Sequence, residues 1–464
     1  MIVLKFGGSS VGNAERIDGV ISILVDSYIK KKKKIAIVFS AFQGVTDKLI
    51  EIGKLAFQRK IFYKAEIEEL IERHYDTAFR LNPTGKHEEL VEKLDLLFDE
   101  LKEVVHGVYL VRELSPRTLD YIQSFGEKLS NTIIAESLCN RGVDAEFLDA
   151  SKLVKTNSEF GNAKVNFTST NKNIAKYFKK HKRVQVVTGF ISSTDKNEIT
   201  TLGRGGSDYT ASVFGAALNA EAIEIWTDVD GILTADPRKV KDAFPLKSVS
   251  YEEAMELSHF GAKVIYPPTM LPALKKKIKI VIKNTFNPTH PGTKIIEKSG
   301  TEKMPIKGIS SIDDISIIRV QGGGMVGVTG VAGRLFAALA RYGINIILIT
   351  QASSEHSICF AVLPKYGDQA KKVIETEFKL EIMEGKIGEV IVEEELSIIA
   401  VVGEKMRHTI GIAGKVFNAL GKKGINIIAI AQGSSELNIS LVINKNNLQK
   451  ALLSIHKDLL ARLK

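Results

Sequence analysis

Three features of this 464-residue sequence predict an α/β fold with a largely parallel sheet, followed by two copies of a smaller module. Short apolar strands alternate with helical patterns from residue 1 to about 295, a spacing that places helices on both faces of a parallel sheet. After Pro291-Gly-Thr, a segment recurs at an offset of 81 residues (332 to 413). Finally, 44% hydrophobic composition over this length supports a large core and two or three domains.

The first strand, Ile2 to Phe6, runs into Gly7-Gly8-Ser9-Ser10 and then a helix with Ile17, Val20, Ile21, Leu24, Val25 and Tyr28 on one face. Strand, glycine loop and helix in that order suit a phosphate, with Lys5 at the strand end. A tight turn is the competing reading. Lys30 to Lys34 follows the helix and reads as a solvated connection to the strand Ile35 to Ser40, without the aromatic interleaving of a nucleic-acid site. From Ala56 to His106 charged residues at helical spacing predict solvated helices, or an appended subdomain, with no chemistry. A strand at Val184 to Phe190 precedes Thr201-Leu-Gly-Arg-Gly-Gly-Ser-Asp208, the most informative run in the chain. Its glycines let backbone N–H groups approach an anion, Arg204 offers a bidentate clasp, and the helix expected over Tyr209 to Ala220 adds a positive end. A glycine-rich turn capped by Ser207 or Asp208 is the alternative. The strand Ala222 to Thr227 empties into an acidic loop, Asp228-Val-Asp-Gly to Asp236-Pro-Arg238, where α/β sheets bind ligands, and Ile278 to Asn284 is the last strand. The sole tryptophan, Trp226, is assigned to the core.

Each repeat reads strand, turn, helix, strand, strand. Ala332-Gly-Arg-Leu-Phe, Gly343-Ile-Asn-Ile-Ile and Gln351-Ala-Ser-Ser-Glu return as Ala413-Gly-Lys-Val-Phe, Gly424-Ile-Asn-Ile-Ile and Gln432-Gly-Ser-Ser-Glu. Gly322-Gly-Gly-Met-Val-Gly327 has the glycine spacing of a dinucleotide fingerprint but lacks the acid some 20 residues on, so it is read as a flexible turn or part of an effector site. A P-loop ending in Gly-Lys-Ser/Thr is absent.

The motifs Lys5-Phe-Gly-Gly-Ser-Ser-Val, Ser124-Phe-Gly-Glu127-Lys-Leu-Ser, the Gly203 to Asp208 loop, Trp226 to Arg238 and Phe260-Gly-Ala-Lys263-Val-Ile-Tyr-Pro267 together resemble the aspartate kinases of the amino acid kinase superfamily, in the family's order over essentially the whole chain. The duplicated unit resembles the ACT domain, which binds amino acids as regulators. The resemblance implies a three-layer amino acid kinase fold over 1–295 and two ferredoxin-like ACT regions, 296–385 and 386–464. A strand near Ile306 to Ser310 would be donated to the second copy, interleaving the two. It further implies transfer of the γ-phosphoryl of ATP, with Mg2+, onto the side-chain carboxylate of L-aspartate, the first step toward lysine, threonine and methionine. Lys5 would bridge the transferring phosphoryl, Gly7, Gly8 and Ser9 would cradle phosphates, and Asp208 would organise Lys5 or the metal-bound phosphates. Ser40, Thr227, Asp228, Arg238 and Lys263 fall on the ATP side. Arg204 would clasp a substrate carboxylate and Glu127 the α-ammonium, with Thr46, Thr201 and Ser207 also on the aspartate side. Glu127 could instead make a helix ion pair, and Ser40 and Thr46 could cap backbone. Leu233 and Tyr266 depart from the family pattern and leave the adenine contacts open.

The stretch Gln351 to Ser357 is similar to threonine-sensitive aspartate kinases, so Gln351 and Gln432 are expected to contact a threonine effector, with lysine second; solvent-facing strand ends are the alternative. A homodimer through the ACT regions, or a higher homo-oligomer, is expected. The sequence ends at Lys464, shortly after the second repeat, and the expectation is a kinase without an appended dehydrogenase. Two isolated cysteines, Cys139 and Cys359, and no apolar run of membrane length point to the cytoplasm. A net charge of +10 suits anionic substrates, and no nucleic-acid or membrane partner is expected. Rival readings are a catalytically dead amino-acid sensor, a basic nucleic-acid binder, and a glutamate or nucleotide kinase of the same superfamily.

Overall fold

The computed structural model describes residues 1–83, 87–261, 265–298, 304–351, 356–407 and 409–460. They form two compact units. The first comprises 1–232, 245–251 and 264–300, and the second 233–244, 252–263 and 301–464. Among the described residues, no helix is long and apolar enough to cross a membrane.

The first unit carries strands β1 (Ile2–Phe6), β2 (Ile35–Phe39), β3 (Ala145–Leu148), β4 (Lys155–Thr156), β5 (Val184–Thr188), β6 (Ile191–Thr194), β7 (Ile199–Thr201), β8 (Ala222–Thr227), β9 (Ser248–Ser250), β10 (Lys279–Asn284) and β11 (Thr293–Ile296). Eight of them form one sheet in the order β3-β5-β2-β1-β8-β10-β11-β9, parallel except between β10 and β11. The short, polar β4, β6 and β7 make a second sheet that no apolar run announces. The chain leaves β1 toward β2 on one side and returns through β8 on the other. Such a reversal opens a crevice at the carboxyl ends of the strands.

Helices α1 (Ala14–Leu24), α2 (Val45–Phe57), α3 (Tyr63–Leu81), α4 (His87–Val111) and α5 (Pro116–Asn140) share one core with the face of β1 that bears Leu4 and Phe6. α6 (Phe167–Lys180) and α7 (Gly206–Ala217) pack together, and α7 lies on β1 and β2. Because strand side chains alternate faces, Lys5 lies on the face of β1 opposite Leu4 and Phe6. Phe6 pairs in register with Phe39 on β2 and Trp226 on β8. The three rings stack at centroid distances of 5.4 and 5.6 Å, each pair adding about 0.5–1.5 kcal/mol beyond its buried area. Trp226, 1% exposed, is therefore core, as expected. Local chemistry sets the helix starts: Asn13 caps α1, and Ser115 followed by Pro116 starts α5. Lys31 to Lys34 lie exposed in the turn before β2.

The first helix of the second unit is α8 (Tyr251–His259), whose first residue belongs to the first unit; α9 (Leu271–Lys275) also lies in the first. Its sheet contains β12 (Gly308–Gln321), β13 (Leu348–Gln351), β14 (Ser357–Val362), β15 (Ile391–Val402), β16 (Ala429–Ala431) and β17 (Asn438–Asn444), in the order β13-β14-β12-β15-β17-β16. The first copy packs α10 (Val331–Arg341), α11 (Gly367–Glu377) and the short α12 (Lys379–Met383); the second packs α13 (Ile412–Gly421) and α14 (Leu448–Leu459). Each copy thus ends in a helix, α11 or α14, beyond the expected strand-turn-helix-strand-strand pattern. The segment expected as a short strand is the start of the 14-residue β12. Gly308 to Ile312 pair with Val402 to Ile398 of the second copy, and Ser316 to Gln321 with Val362 to Ser357 of the first.

Gly322 and its repeat equivalent Gly403 stand where a Cβ would lie 2.2 Å from the Lys386 carbonyl oxygen and 2.1 Å from that of Pro305. Only glycine permits these approaches. Of the dinucleotide-like glycines, Gly322 and Gly324 thus pack closely against Lys386.

Candidate active site

A cleft of about 540 Å³ opens in the first unit where β1 and β2 end and α7 begins. Its wall includes Lys5, Gly8, Ser40, Thr46, Glu127, Thr201, Arg204, Ser207 and Asp208, nine residues that the sequence placed on the phosphate or acceptor side. They come from widely separated stretches of chain and meet because the parallel sheet brings its carboxyl edges together.

Lys5 Nζ lies 2.6 Å from Asp208 Oδ1, with side chains 11% and 13% exposed. The pair joins the end of β1 to the first turn of α7. That helix starts at Gly206, three residues before the expected Tyr209, and its cap is Gly205 rather than Ser207 or Asp208. Gly205 adopts φ +70°, a left-handed conformation that a side chain would resist. The first helical bond runs from Tyr209 N–H to the Gly205 carbonyl, so the Ser207 and Asp208 N–H groups lie at the open positive end of α7. An anion docking there meets backbone N–H groups and an ammonium together.

Glu127, on α5, is 2% exposed. Its Oε1 accepts from Ala41 N–H at 3.1 Å, while Oε2 has no hydrogen-bond partner among the described residues. Burial pushes its carboxyl up to about 8, against the pull of the Ala41 N–H and of Lys5. Helix ion pairing with Lys128 is not made; Lys128 lies over the Tyr121 and Phe125 rings instead. The Arg204 guanidinium sits over the Tyr266 ring, 5.7 Å from its centroid. Tyr266, set against the adenine contacts in the sequence, therefore backs the residue expected to clasp the acceptor.

Other predicted residues stand outside the cleft wall. Gly7 N–H donates to the Trp226 carbonyl at 3.3 Å, and Ser9 offers its carbonyl to Arg16. Thr227 and Asp228 follow from the end of β8 and bond each other at 3.1 Å. Arg238 belongs to the second unit, where Asp236 engages it through Nε and Nη2. Lys263 lies outside the described residues. Among the described residues no cluster of three His, Cys, Asp or Glu side chains could hold a metal.

Sequence reasoning missed Asp120, Gln123 and Phe190. Asp120, 1% exposed on α5, accepts from Gly161 N–H at 2.8 Å, Thr201 N–H at 2.9 Å and Thr201 Oγ1 at 2.7 Å. It ties the helix that carries Glu127 to two segments of the cleft wall, and burial raises its carboxyl above the ordinary range. Thr201, expected on the aspartate side, thus spends its hydroxyl on Asp120. Asp120→Asn places an NH2 against these donors. The expected result is a loss of about 1–3 kcal/mol in denaturant unfolding, the cost of stranding a buried donor, together with a raised KM for the acceptor. Phe190, a bulky residue at φ +66°, also lines the cleft. Strain of about 1–3 kcal/mol is typical of such positions and collects at functional sites. Its only sequence signal was its place at the end of the expected strand, which the structure ends at Thr188.

In the second unit, Gln351 at the end of β13 and Gln432 just after β16 line a separate cleft of about 460 Å³ with Asn438 and Ser440. Thr350 Oγ1 donates to the Ile430 carbonyl at 3.0 Å, joining the two repeats there. Residues 352–355 of the Gln351 to Ser357 stretch lie outside the described residues.

Comparison with known proteins agrees with this geometry. Residues 1–284 match the amino acid kinase family, and residues 318–378 and 399–459 each match an ACT domain. A bifunctional aspartokinase/homoserine dehydrogenase of Arabidopsis thaliana is 36% identical over 98% of this chain and 50% of its own. The chain spans about half the length of that and similar curated relatives. An aspartokinase of Schizosaccharomyces pombe is 32% identical over 99% of this chain and 92% of its own. Escherichia coli aspartokinase III, 27% identical in its complex with aspartate and ADP (R-state), superposes with a TM-score of 0.82 over 99% of both chains. Its complex with lysine and aspartate (T-state), 28% identical, gives 0.79 over 99% of both. By these matches, and by the sheet and cleft described above, the chain belongs to the amino acid kinase family and, within it, to the aspartokinases.

Proposed function

We propose that this chain transfers the γ-phosphoryl of Mg-ATP to the side-chain carboxylate of L-aspartate, giving 4-phospho-L-aspartate and ADP. The carrying observation is the part-buried Lys5–Asp208 pair at the positive end of α7, in one cleft with Glu127 and Arg204. A carboxylate oxygen attacks the γ-phosphorus as the bond to the ADP oxygen breaks. The nucleophile is already ionised, so no proton is moved. The task is to cancel repulsion between two anions and hold them in line, for which cations and N–H groups suffice. Lys5 serves the transferring phosphoryl, Asp208 holds Lys5, and Gly8 and Ser40 lie on the phosphate side. Arg204, Glu127, Thr46 and Ser207 receive the acceptor. Gly7, Ser9, Thr227, Asp228, Arg238 and Lys263 are assigned to the nucleotide on family resemblance. Asp208, an isolated acid of the cleft wall among the described residues, would face magnesium brought in with ATP, which would supply neutralisation of phosphate charge. The aspartate and ADP bound to the E. coli structure support the reading.

An ADP-release assay with L-aspartate, L-glutamate and UMP, with hydroxylamine trapping any acyl phosphate, tests it. Hydroxamate from aspartate alone is expected; no turnover by folded protein would favour the amino-acid sensor.

We further propose feedback inhibition by threonine at the cleft of Gln351 and Gln432, in a cytoplasmic homodimer joined through the ACT regions. Lysine is the second reading, favoured by the lysine in the E. coli T-state complex. Titration of activity is expected to show inhibition by threonine at lower concentration than by lysine. The reverse order would reassign the effector, and insensitivity to both would leave the repeats structural.

A further inference from the structure

Gln123 stands on α5 one turn before Glu127, so both side chains lie on the same face of the helix. It is 8% exposed and lines the cleft beside Glu127, Gly161, Thr201 and Arg204. A primary amide carries two N–H donors and a carbonyl acceptor. Among the described residues, the Gln123 side chain makes no hydrogen bond. Its neighbours on the helix, Ile122 and Phe125, are fully buried in the apolar core. The cleft around it is fixed: Asp120, one turn earlier, holds Gly161 and Thr201 by three hydrogen bonds. The stem of Gln123 is buried while its amide head stays accessible from the cleft, a rigidly framed donor and acceptor facing the site.

We propose that Gln123 is a further acceptor-binding residue, which hydrogen-bonds the amino-acid head group of the acceptor next to Glu127. The inference rests on the reading of this cleft as an acceptor site. An α-amino acid presents an ammonium and a carboxylate on one carbon, so a group a single helical turn from the ammonium partner reaches the same end of the molecule. The neutral amide donates to the carboxylate or accepts from the ammonium without adding charge to a cleft that must also admit the anionic phosphates of ATP.

Gln123→Met keeps the volume and removes the polar head, and Gln123→Glu keeps the shape and adds a charge. With the full chain at saturating Mg-ATP, Q123M is expected to raise the KM for L-aspartate about tenfold, as fits one lost hydrogen bond to a charged group. The turnover number and the KM for ATP should stay within about twofold, and the thermal midpoint should not fall. Q123E is expected to raise the aspartate KM at least as much, by repelling the carboxylate. An aspartate KM within twofold of wild type in both variants overturns the proposal and makes Gln123 a packing residue. Should the wild-type chain phosphorylate a different amino acid, the aspartate reading alone falls, and the same KM comparison on that acceptor decides Gln123. Should it phosphorylate no amino acid, both fall.

Discussion

Lys5→Ala lowers the turnover number by at least about a hundredfold, the typical effect of removing one preorganised electrostatic donor. Two losses act together. The ammonium that would meet the transferring phosphoryl disappears, and Asp208, 13% exposed and held at 2.6 Å by Lys5, is left facing the incoming phosphates as an unpaired anion. The second loss means that Asp208→Asn in the Lys5→Ala background should recover part of the activity, because one repulsion is relieved. Lys5→Arg should not restore the rate, since a planar guanidinium cannot occupy the place of a compact ammonium at the end of β1. The check is kcat by ADP release. A near-wild-type value for Lys5→Ala would remove the residue from the mechanism.

Glu127→Gln raises the KM for aspartate by roughly 10- to 100-fold, through loss of a charged hydrogen bond, and it abolishes a pH dependence that the wild type should show. With its carboxyl at about 8 against an ordinary 4.5, Glu127 keeps its proton in the empty cleft at neutral pH. From about pH 4.5 to 8 the unfolded chain has already lost a proton that the folded chain retains. The residue's contribution to stability is therefore fully present below that window, declines as pH rises through it, and is level above. An α-ammonium docking on the unpartnered Oε2 favours the charged form, so binding expels the proton below pH 8. Aspartate affinity should climb with pH up to about 8 and then flatten. Calorimetry in two buffers with different protonation heats would show the released proton. The E127Q variant should release none and should melt above the wild type at pH 8 and higher. Binding without proton release in the wild type would separate Glu127 from the ammonium.

What the sequence revealed depended on how much of the physics is local. The strands β1, β2, β5, β8 and β10 are apolar runs ending at glycines or polar residues, and all five were legible. The strands β4, β6 and β7 are short and rich in threonine and serine, and their pairing partners decide their state. The beginning of α7 was read at Tyr209 because Gly205 and Gly206 look like loop; the structure uses the left-handed Gly205 as the cap. Lys5, Arg204 and Asp208 stood out as charges within two residues of a glycine. Asp120 and Gln123 did not, for a polar residue on a helix is ordinary until the fold buries it against a cleft. Nor could the hydroxyl of Thr201 be separated from its neighbours before its bond to Asp120 was seen.

The division of β12 between the two repeats bears on how the chain is made. Gly308 pairs with Val402, 94 residues later (402 minus 308), so half of this strand, although Ile309 N–H can already bond the earlier Thr234 carbonyl, lacks its sheet partner while the ribosome is still producing β15. At synthesis rates of about 5–20 residues per second, that wait lasts roughly 5–20 s. During it Ile309 and Ile312 are apolar residues on an open strand edge, a template for the wrong neighbour. The nascent chain is therefore most prone to aggregation after the first repeat has emerged and before β15 arrives. Pulse-labelling with a chaperone trap should find its strongest association within that interval.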